Sequence, residues 1–151
     1  MAKERYYYDV QPLSSLRELI ELAKNESGDT FAYKFKNADK EICDVTYAQF
    51  YEDVYALGTA LADMGISKTH IACIAEHSYK WINTYLMTLC SDCVFFCIDK
   101  ELPEKDYLHV ITDSDSEIVF YHGKLEDSLR AHRDELSKVK YFIGFDRSED
   151  Y

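Results

Sequence analysis

The side chains best placed for chemistry follow the apolar segments of the sequence, where a parallel sheet would bring them to one edge. They are Glu76, His77, Asp99, Lys100, His122, Asp146 and Arg147. Ligands of open α/β sheets bind beyond the carboxyl ends of the strands, so a titrating site of acid and imidazole is conceivable there. Polar residues also follow strands because the loops are hydrated, and we favour this second interpretation.

The cysteines form a second candidate site. Cys90 and Cys93 make a C-x-x-C pattern, and Cys97 lies close to it. This pattern could indicate a redox pair or three zinc ligands completed by a histidine. However, no second ligand cluster lies at metal spacing, and the histidines are scattered at positions 70, 77, 109, 122 and 132. We therefore predict no metal, small buried cysteines where a helix turns into a core strand, and histidines that are exposed or locally bonded.

Phosphate-binding motifs are missing from the sequence. The five glycines lie at least seven positions apart, which excludes a Walker loop and a dinucleotide fingerprint. No G-x-S-x-G elbow occurs either. Four aspartates, at positions 92, 99, 113 and 115, suggest a phospho-receiver, but the third apolar strand ends in Tyr121-His122-Gly123 and not in an aspartate. We accordingly assign no catalytic, cofactor-binding or metal-binding residue to this chain.

Composition limits the class of protein. The chain has 151 residues, the size of one domain, with 47% hydrophobic and 15% aromatic residues, which excludes a disordered class. A formal charge of −11 argues against nucleic-acid and anionic-membrane partners, and a site for ATP would need local positive potential. We find neither a membrane-spanning segment nor a secretory signal, and five cysteines favour free thiols in the cytoplasm.

A central stretch, residues 46–99, organises the predicted fold. Thr46 and Gln49 have the spacing of a capping box, and the helix that follows ends at Gly65. Residues 70–75 and 93–98 are apolar on both faces, which is typical of buried parallel strands, and residues 81–89 form a helix between them. This helix–strand–helix–strand module predicts an α/β fold.

The flanking segments complete that fold class. An arm (1–14), with Tyr6, Tyr7 and Tyr8 covering apolar surface, precedes a helix and a β-hairpin (15–45). The other predicted elements are a helix from Ser15 to about Asn25, hairpin strands 30–36 and 41–45, a helix beginning at Pro103, a strand at 117–121, a helix from Lys124 to about Ser137 and a strand at 140–145. The alternation predicts a doubly wound, mainly parallel sheet with helices on both faces.

The order of several short segments carries a family resemblance. They are 46–50 (TYAQF), 56–61 (ALGTAL), 64–66 (MGI), 70–78 (HIACIAEHS), 81–82 (WI), 85–86 (YL), 94–99 (VFFCID), 101–103 (ELP), 113–120 (DSDSEIVF) and 141–146 (YFIGFD). From about Leu16 to Asp146 the chain resembles the N-terminal region of AMP-forming acyl-CoA synthetases, particularly the long- and medium-chain fatty acid type. Departures from that pattern, such as His77 for Asn and Cys97 for Pro, leave the acyl chain open.

The resemblance implies a larger enzyme that uses ATP and Mg²⁺ to activate a carboxylic acid, such as a fatty acid, as acyl-AMP and then transfers it to coenzyme A. In that family the phosphate loop, the adenine and carboxylate pockets and the C-terminal lid all lie beyond the region matched here. We therefore expect residues 1–151 to be a partial N-terminal domain, inactive alone, whose partners are the remainder of its own chain and further copies of itself. The alternative is a free-standing acidic α/β binding or interaction module that ends near Tyr151.

Overall fold

The computed structural model describes residues 11–37 and 39–146, and the predicted tyrosine cluster of the arm lies outside them. In chain order the elements are α1 (Leu16–Ser27), β1 (Phe31–Lys36), β2 (Ile42–Thr46), α2 (Tyr47–Asp63), β3 (His70–Ile74), α3 (Tyr79–Leu89), β4 (Val94–Ile98), α4 (Glu104–Asp113), β5 (Ile118–Tyr121), a short 3₁₀ helix (Gly123–Leu125), α5 (Glu126–Ala131) and β6 (Tyr141–Gly144). The predicted order of helices and strands is confirmed.

The main sheet has four parallel strands in the order β4-β3-β5-β6. The chain passes from β3 outward to β4, then crosses back to β5 on the opposite side of β3 and continues to β6. This reversal makes a topological switch point between β3 and β5, where α/β proteins commonly bind ligands. A separate antiparallel pair, β1 and β2, forms the predicted hairpin.

Helices cover both faces of the parallel sheet, as predicted. On one face Ile71 and Cys73 of β3 pack with Phe50 and Val54 of α2 and Met87 of α3. The other face buries residues from β3, β5, α4 and α5, namely Ala72, Ile74, Val119, Tyr107, Ile111 and Leu129. Alternate residues of one strand therefore enter two separate apolar clusters, which explains why β3 is apolar throughout.

Side chains cap the first helices where the sequence predicts, although the reciprocal bonds differ. Thr46 Oγ1 accepts a hydrogen bond from the backbone N–H of Gln49 (3.2 Å) and Ser15 Oγ accepts one from Glu18 (3.2 Å). The Gln49 side chain does not complete a capping box, because it donates to Asp53 Oδ1 (2.8 Å). Glu18 instead accepts from the N–H of Ser14 (2.6 Å).

The prediction that residues 93–98 form a strand buried on both faces is wrong. β4 stands at the edge of the sheet, Val94 is 47% exposed and Cys97 is also exposed. β3 is buried on both faces, as predicted for residues 70–75, and so is β5. An apolar run of five or six residues does not distinguish an edge strand from a central one, since that choice depends on the order of the strands.

The predicted helix from Lys124 to Ser137 is also corrected. A 3₁₀ turn begins the segment, α5 ends at Ala131, and turns follow in which Glu135 and Leu136 donate to the carbonyl of His132 (3.0 and 3.2 Å). These turns bring Leu136 into the apolar cluster with α4 and α5, where it is almost fully buried. Packing of that leucine therefore overrides continuation of the helix. None of the helices in the described ranges combines the length and apolarity needed to cross a bilayer.

Candidate functional site

A cleft of about 530 Å³ lies at the carboxyl edge of the sheet, beside the switch point. Its walls come from the ends of β3, β5 and β6, the first turn of α3 and the hairpin strand β1. The lining residues are Phe35, Lys36, Asn37, Ala75, Glu76, His77, Ser78, Tyr79, Lys80, His122, Phe145 and Asp146. Four of the seven residues predicted for this edge thus share one cleft: Glu76, His77, His122 and Asp146.

An acid–imidazole pair occupies one side of the cleft. His122 Nε2 lies 3.1 Å from Asp146 Oδ2, and the backbone N–H of Lys124 donates to His122 Nδ1 (3.4 Å). Because Nδ1 accepts this bond, the Nε2–H group donates a hydrogen bond to the carboxylate. The backbone N–H of His122 also donates to the carbonyl of Ile74 (3.1 Å), which fixes the loop across the switch point.

Lys80 links α3 to the same acid. Its Nζ lies 3.7 Å from Asp146 Oδ1 and donates a hydrogen bond to the carbonyl of Phe145. Close packing of Gly123 against this segment holds the acid in place, since a Cβ added there would meet the carbonyl oxygen of Asp146 at 2.7 Å. The sequence analysis did not select Lys80, because this residue lies in the first turn of α3 and does not directly follow a strand.

A second ion pair lies on the β4 side. Lys100 Nζ is 2.6 Å from Glu76 Oε1, and the lysine holds the pKa of that carboxyl below its usual value while its own pKa is raised. Both side chains are well exposed, so the pair is screened by water. Asp99 takes no part in it, because its Oδ1 caps a turn by accepting from the N–H of Glu101 (2.9 Å). Arg147 lies outside the described residues.

Helix α3 and the hairpin build the wall opposite the acids. Ser78 Oγ caps α3 by accepting from the N–H of Trp81 (3.2 Å). Tyr79 stacks on Phe35 of the hairpin with ring centroids 5.5 Å apart and donates its hydroxyl proton to Asp53 Oδ2 (2.5 Å). Burial and that acid raise the pKa of Tyr79 above its usual value. The hairpin wall was missed in the sequence analysis, because it is brought to the cleft by long-range packing.

The cysteines do not assemble into a metal centre. Cys90 follows the last residue of α3 and Cys93 precedes β4. Both are half-buried and Cys97 is exposed, so the expectation of buried cysteines is wrong for Cys97 and only partly met by Cys90 and Cys93. All five cysteines are free. In residues 11–37 and 39–146, no three His, Cys, Asp or Glu side chains converge as metal ligands.

Other histidines and aspartates make contacts outside the cleft. Those of His109 and His132 are local, as expected, whereas His70 is half-buried and contacts a residue 44 positions away, so the expectation is wrong for it. His70 Nδ1 lies 2.6 Å from the carbonyl of Ser114, and His109 pairs with Asp113 (3.3 Å). His132 Nδ1 contacts the carbonyl of Ser128 (3.0 Å), which raises the pKa of the imidazole. Asp115 pairs with Lys138. His109 and His132 thus contact their own helices, α4 and α5, whereas His70 and Asp115 join segments distant in the chain.

Chemically, the cleft offers two imidazoles, His77 and His122, two carboxylates, Glu76 and Asp146, and two lysines, Lys36 and Lys80. It is therefore less acidic than the chain as a whole. The part of the chain that the structure describes does not fit a complete nucleotide or Mg²⁺ site: the glycines are too widely spaced for a phosphate-binding loop, and metal ligands do not converge.

Solved structures that are similar to this chain include CoA ligases. The N-terminal domain of FACL13 from Mycobacterium tuberculosis matches with a TM-score of 0.77 and 19% identity, over 88% of this chain and 34% of that one. A long-chain-fatty-acid-CoA ligase from Archaeoglobus fulgidus matches with a TM-score of 0.77 and 16% identity, over 96% and 29%. The anthranilate CoA ligase AuaEII, solved with anthranoyl-AMP, matches with a TM-score of 0.77 and 14% identity, over 89% and 26%.

At these identities the structural likeness shows a shared fold, that of the N-terminal region of CoA ligases. The family model described as AMP-binding enzyme matches residues 20–150. The chain therefore belongs to the AMP-binding enzyme family, as its sequence resemblance predicts. It spans about a quarter to a third of the length of the structures it matches. The comparison with curated proteins finds no match.

Proposed function

We propose that this chain is the N-terminal part of an ATP-dependent acid–thiol ligase, which activates a carboxylic acid as acyl-AMP and transfers the acyl group to coenzyme A. The observation that carries the proposal is the family match over residues 20–150. The fold shared with two CoA ligases supports it. A match to a family describes the class of reaction, and the groups that perform it must be found separately.

Within that enzyme, residues 1–151 supply a scaffold and no reacting group. In our proposal residues 1–14 are an arm, residues 15–45 a helix with a hairpin, and residues 46–146 an α/β module. The lack of a glycine-rich loop and of converging metal ligands in the described residues supports this division of labour. ATP, Mg²⁺ and coenzyme A would be held by the remainder of the enzyme, so the fragment by itself is inactive.

A fatty acid is the substrate we propose. Among the three similar structures, the Archaeoglobus enzyme carries a fatty-acid ligase name. The anthranilate CoA ligase matches with an equal TM-score. Because ligases named for aliphatic and for aromatic acids share this scaffold, the choice of acid must depend on residues outside the scaffold. The substrate therefore requires its own measurement.

The decisive experiment compares two proteins, the chain of 151 residues and the complete product of its gene. Each is assayed for ATP–pyrophosphate exchange with dodecanoate, with benzoate and without acid. We expect exchange by the complete product with dodecanoate and none by residues 1–151. Exchange only with benzoate would support the proposed ligase reaction but contradict a fatty acid as its substrate.

Robust exchange by residues 1–151 would overturn the assignment of the reacting groups to other parts of the enzyme. A gene product that ends at Tyr151 and shows no exchange would overturn the ligase itself. That result would favour the acidic binding module. Circular dichroism of both proteins serves as the control, because it separates an inactive folded chain from an unfolded one.

We also propose that the isolated chain self-associates. Apolar side chains are exposed just before α1, on α1 and on the hairpin, namely Leu13, Leu16, Leu19, Phe31 and Ile42. Exposed apolar patches of this kind often mark surfaces that other polypeptide covers. Light scattering over a wide concentration range tests the proposal, and a monomer at every concentration would contradict it. We propose separately that the protein works in the cytoplasm, a reducing compartment, because its five cysteines are free.

A further inference from the structure

Two thiols face each other across the parallel strands β3 and β4. The register places Cys73 directly opposite Cys97. Neighbouring strands lie about 4.8 Å apart, and paired residues of parallel strands project to the same face of a sheet. This separation falls within the Cα distance of about 4.4 to 6.8 Å that a disulfide spans. We propose that Cys73 and Cys97 form a reversible disulfide when the protein meets hydrogen peroxide.

The two cysteines differ in access to solvent, which assigns their roles. Cys97 is exposed on the edge strand, whereas Cys73 is fully buried in the apolar cluster beneath α2 and α3. Peroxide therefore meets Cys97 first, and Cys73 resolves the oxidised product. Burial raises the pKa of the Cys73 thiol to about 12, and Cys97 contributes to that rise. Because a thiolate is the nucleophile, the second step is slow.

The reaction balances with hydrogen peroxide as the oxidant. The Cys97 thiolate attacks one peroxide oxygen, the S–O bond forms, the O–O bond breaks, and the departing hydroxide takes a proton to become water. The Cys73 sulfur then attacks the sulfur of the Cys97 sulfenic acid. The S–S bond forms, the S–O bond breaks, and the leaving oxygen departs as water with the Cys73 proton. Two thiols lose two electrons, and one peroxide becomes two water molecules.

The position of β4 makes the bond sterically accessible. A disulfide needs Cβ atoms about 3.5 to 4.5 Å apart, slightly closer than the spacing of two strands. β4 is the outermost strand of the sheet, with β3 as its only partner in the described ranges, so it can move toward β3 without breaking other strand pairs. The equivalent movement of a central strand would disrupt two sets of hydrogen bonds.

The thiol pair also lies close to the candidate site. Glu76 lies three residues after Cys73, and Lys100 lies three residues after Cys97. The side chains of Glu76 and Lys100 form the ion pair at the cleft. A bond between the strands would therefore change the spacing of the segments that carry this pair. The inference does not depend on the ligase reaction, because it concerns only thiols within residues 11–37 and 39–146.

The test oxidises the chain of 151 residues with hydrogen peroxide, blocks the remaining thiols with N-ethylmaleimide, and maps tryptic peptides without reduction. Cys73 lies alone in the peptide 69–80, while 81–100 carries Cys90, Cys93 and Cys97. We expect these two peptides to be joined, with a loss of two hydrogens that dithiothreitol reverses. The link should vanish in Cys97→Ser, a substitution at an exposed position, and persist in Cys43→Ser and Cys93→Ser.

Two outcomes would overturn the proposal. One is a disulfide within the peptide 81–100, between Cys90 and Cys93, while Cys73 remains a free thiol that reacts with maleimide only after unfolding. The other is a stable sulfinic acid on Cys97 without any link to Cys73. Oxidation of the chain unfolded in guanidinium serves as the control, because it should scatter the links among all five cysteines if the native register directs the bond.

Discussion

The interior of the parallel sheet and its carboxyl edge are built on different principles. In the interior, β3 and β5 present side chains such as Ile71 and Val119 that are inaccessible to solvent. At the edge, the Glu76–Lys100 pair is well exposed and the His122–Asp146 pair is partly so. Apolar burial stabilises a fold by about 25 cal/mol per Å², whereas an exposed ion pair contributes about 0 to 1 kcal/mol. Stability therefore resides in the interior, and the edge can change its side chains at little cost to the fold.

The largest change in the free energy of unfolding should come from shortening a valine to alanine at a central position of the sheet, compared with the same change at its edge. Val119 on β5 is 0% exposed, while Val94 on β4 is 47% exposed. We expect Val119→Ala to lower the free energy of unfolding by about 2 to 3 kcal/mol, because it removes buried methyl groups and leaves a cavity. Val94→Ala should cost below about 1 kcal/mol. Urea denaturation measures both, and equal losses would refute the assignment of β4 to the sheet edge.

A glycine connects the interior to the acid–imidazole pair. The Cβ created by Gly123→Ala would meet the carbonyl oxygen of Asp146 at 2.7 Å. We expect a loss of about 1 to 3 kcal/mol in the free energy of unfolding, as for other overpacked positions. The shift of Asp146 should also alter the NMR signals of the His122 ring.

Gly58→Ala provides the matched control for that substitution. Gly58 lies inside α2, and its added Cβ would make an ordinary contact with Met87 Cγ (3.5 Å). Alanine in a helix interior is favoured over glycine by about 0.5 to 1 kcal/mol, so this variant should be stabilised. Destabilisation of both variants by the same amount would show that the Asp146 contact is not the cause.

The cap of α3 should have an intermediate effect. Ser78 Oγ accepts a hydrogen bond from the N–H of Trp81 at the rim of the cleft. Ser78→Ala should lower the free energy of unfolding by about 1 kcal/mol, the usual cost of a lost N-cap. Ser78→Asp should restore it, because a carboxylate accepts the same bond and is stabilised at a helix N-terminus. Thermal denaturation followed by circular dichroism distinguishes these cases, and an unchanged midpoint in Ser78→Ala would rule out a stabilising cap.

The smallest effect concerns the exposed ion pair and is best measured by titration. Lys100 keeps the pKa of Glu76 below its usual value, so the ionised pair contributes stability at pH values above the ordinary glutamate pKa and loses it as pH falls through the lowered pKa. Lys100→Met should shift the Glu76 titration, observed by carboxyl ¹³C NMR, to higher pH.

Lys140→Met is the control for this titration, since Lys140 pairs with Glu117 (2.9 Å). That substitution should raise the pKa of Glu117, which is also lowered by its lysine, and leave the titration of Glu76 unchanged. A Glu76 titration that is insensitive to Lys100→Met would mean that the pair does not persist in solution.

The candidate site could be predicted from sequence only in part. Residues that directly follow strands, such as Glu76 and His122, were found because parallel strands end at a common edge. Lys80 was missed because it lies within a helix turn, and Phe35 was missed because it belongs to a hairpin far away in the chain. Asp99 also follows a strand, but its side chain caps a turn and does not line the cleft. This role could not be predicted, because it depends on the geometry of the loop.

By itself, the sequence determined the alternation of helices and strands, the serine and threonine caps, and membership of the AMP-binding enzyme family. These features depend on residue spacing and on neighbours a few positions apart, and such information is local. Only the tertiary structure decided that β4 lies at the sheet edge, that Leu136 leaves the helix to enter the core, and that Cys73 faces Cys97. Each of these depends on contacts between segments distant in the chain, where several pairings satisfy the same apolar pattern and packing of the whole selects one.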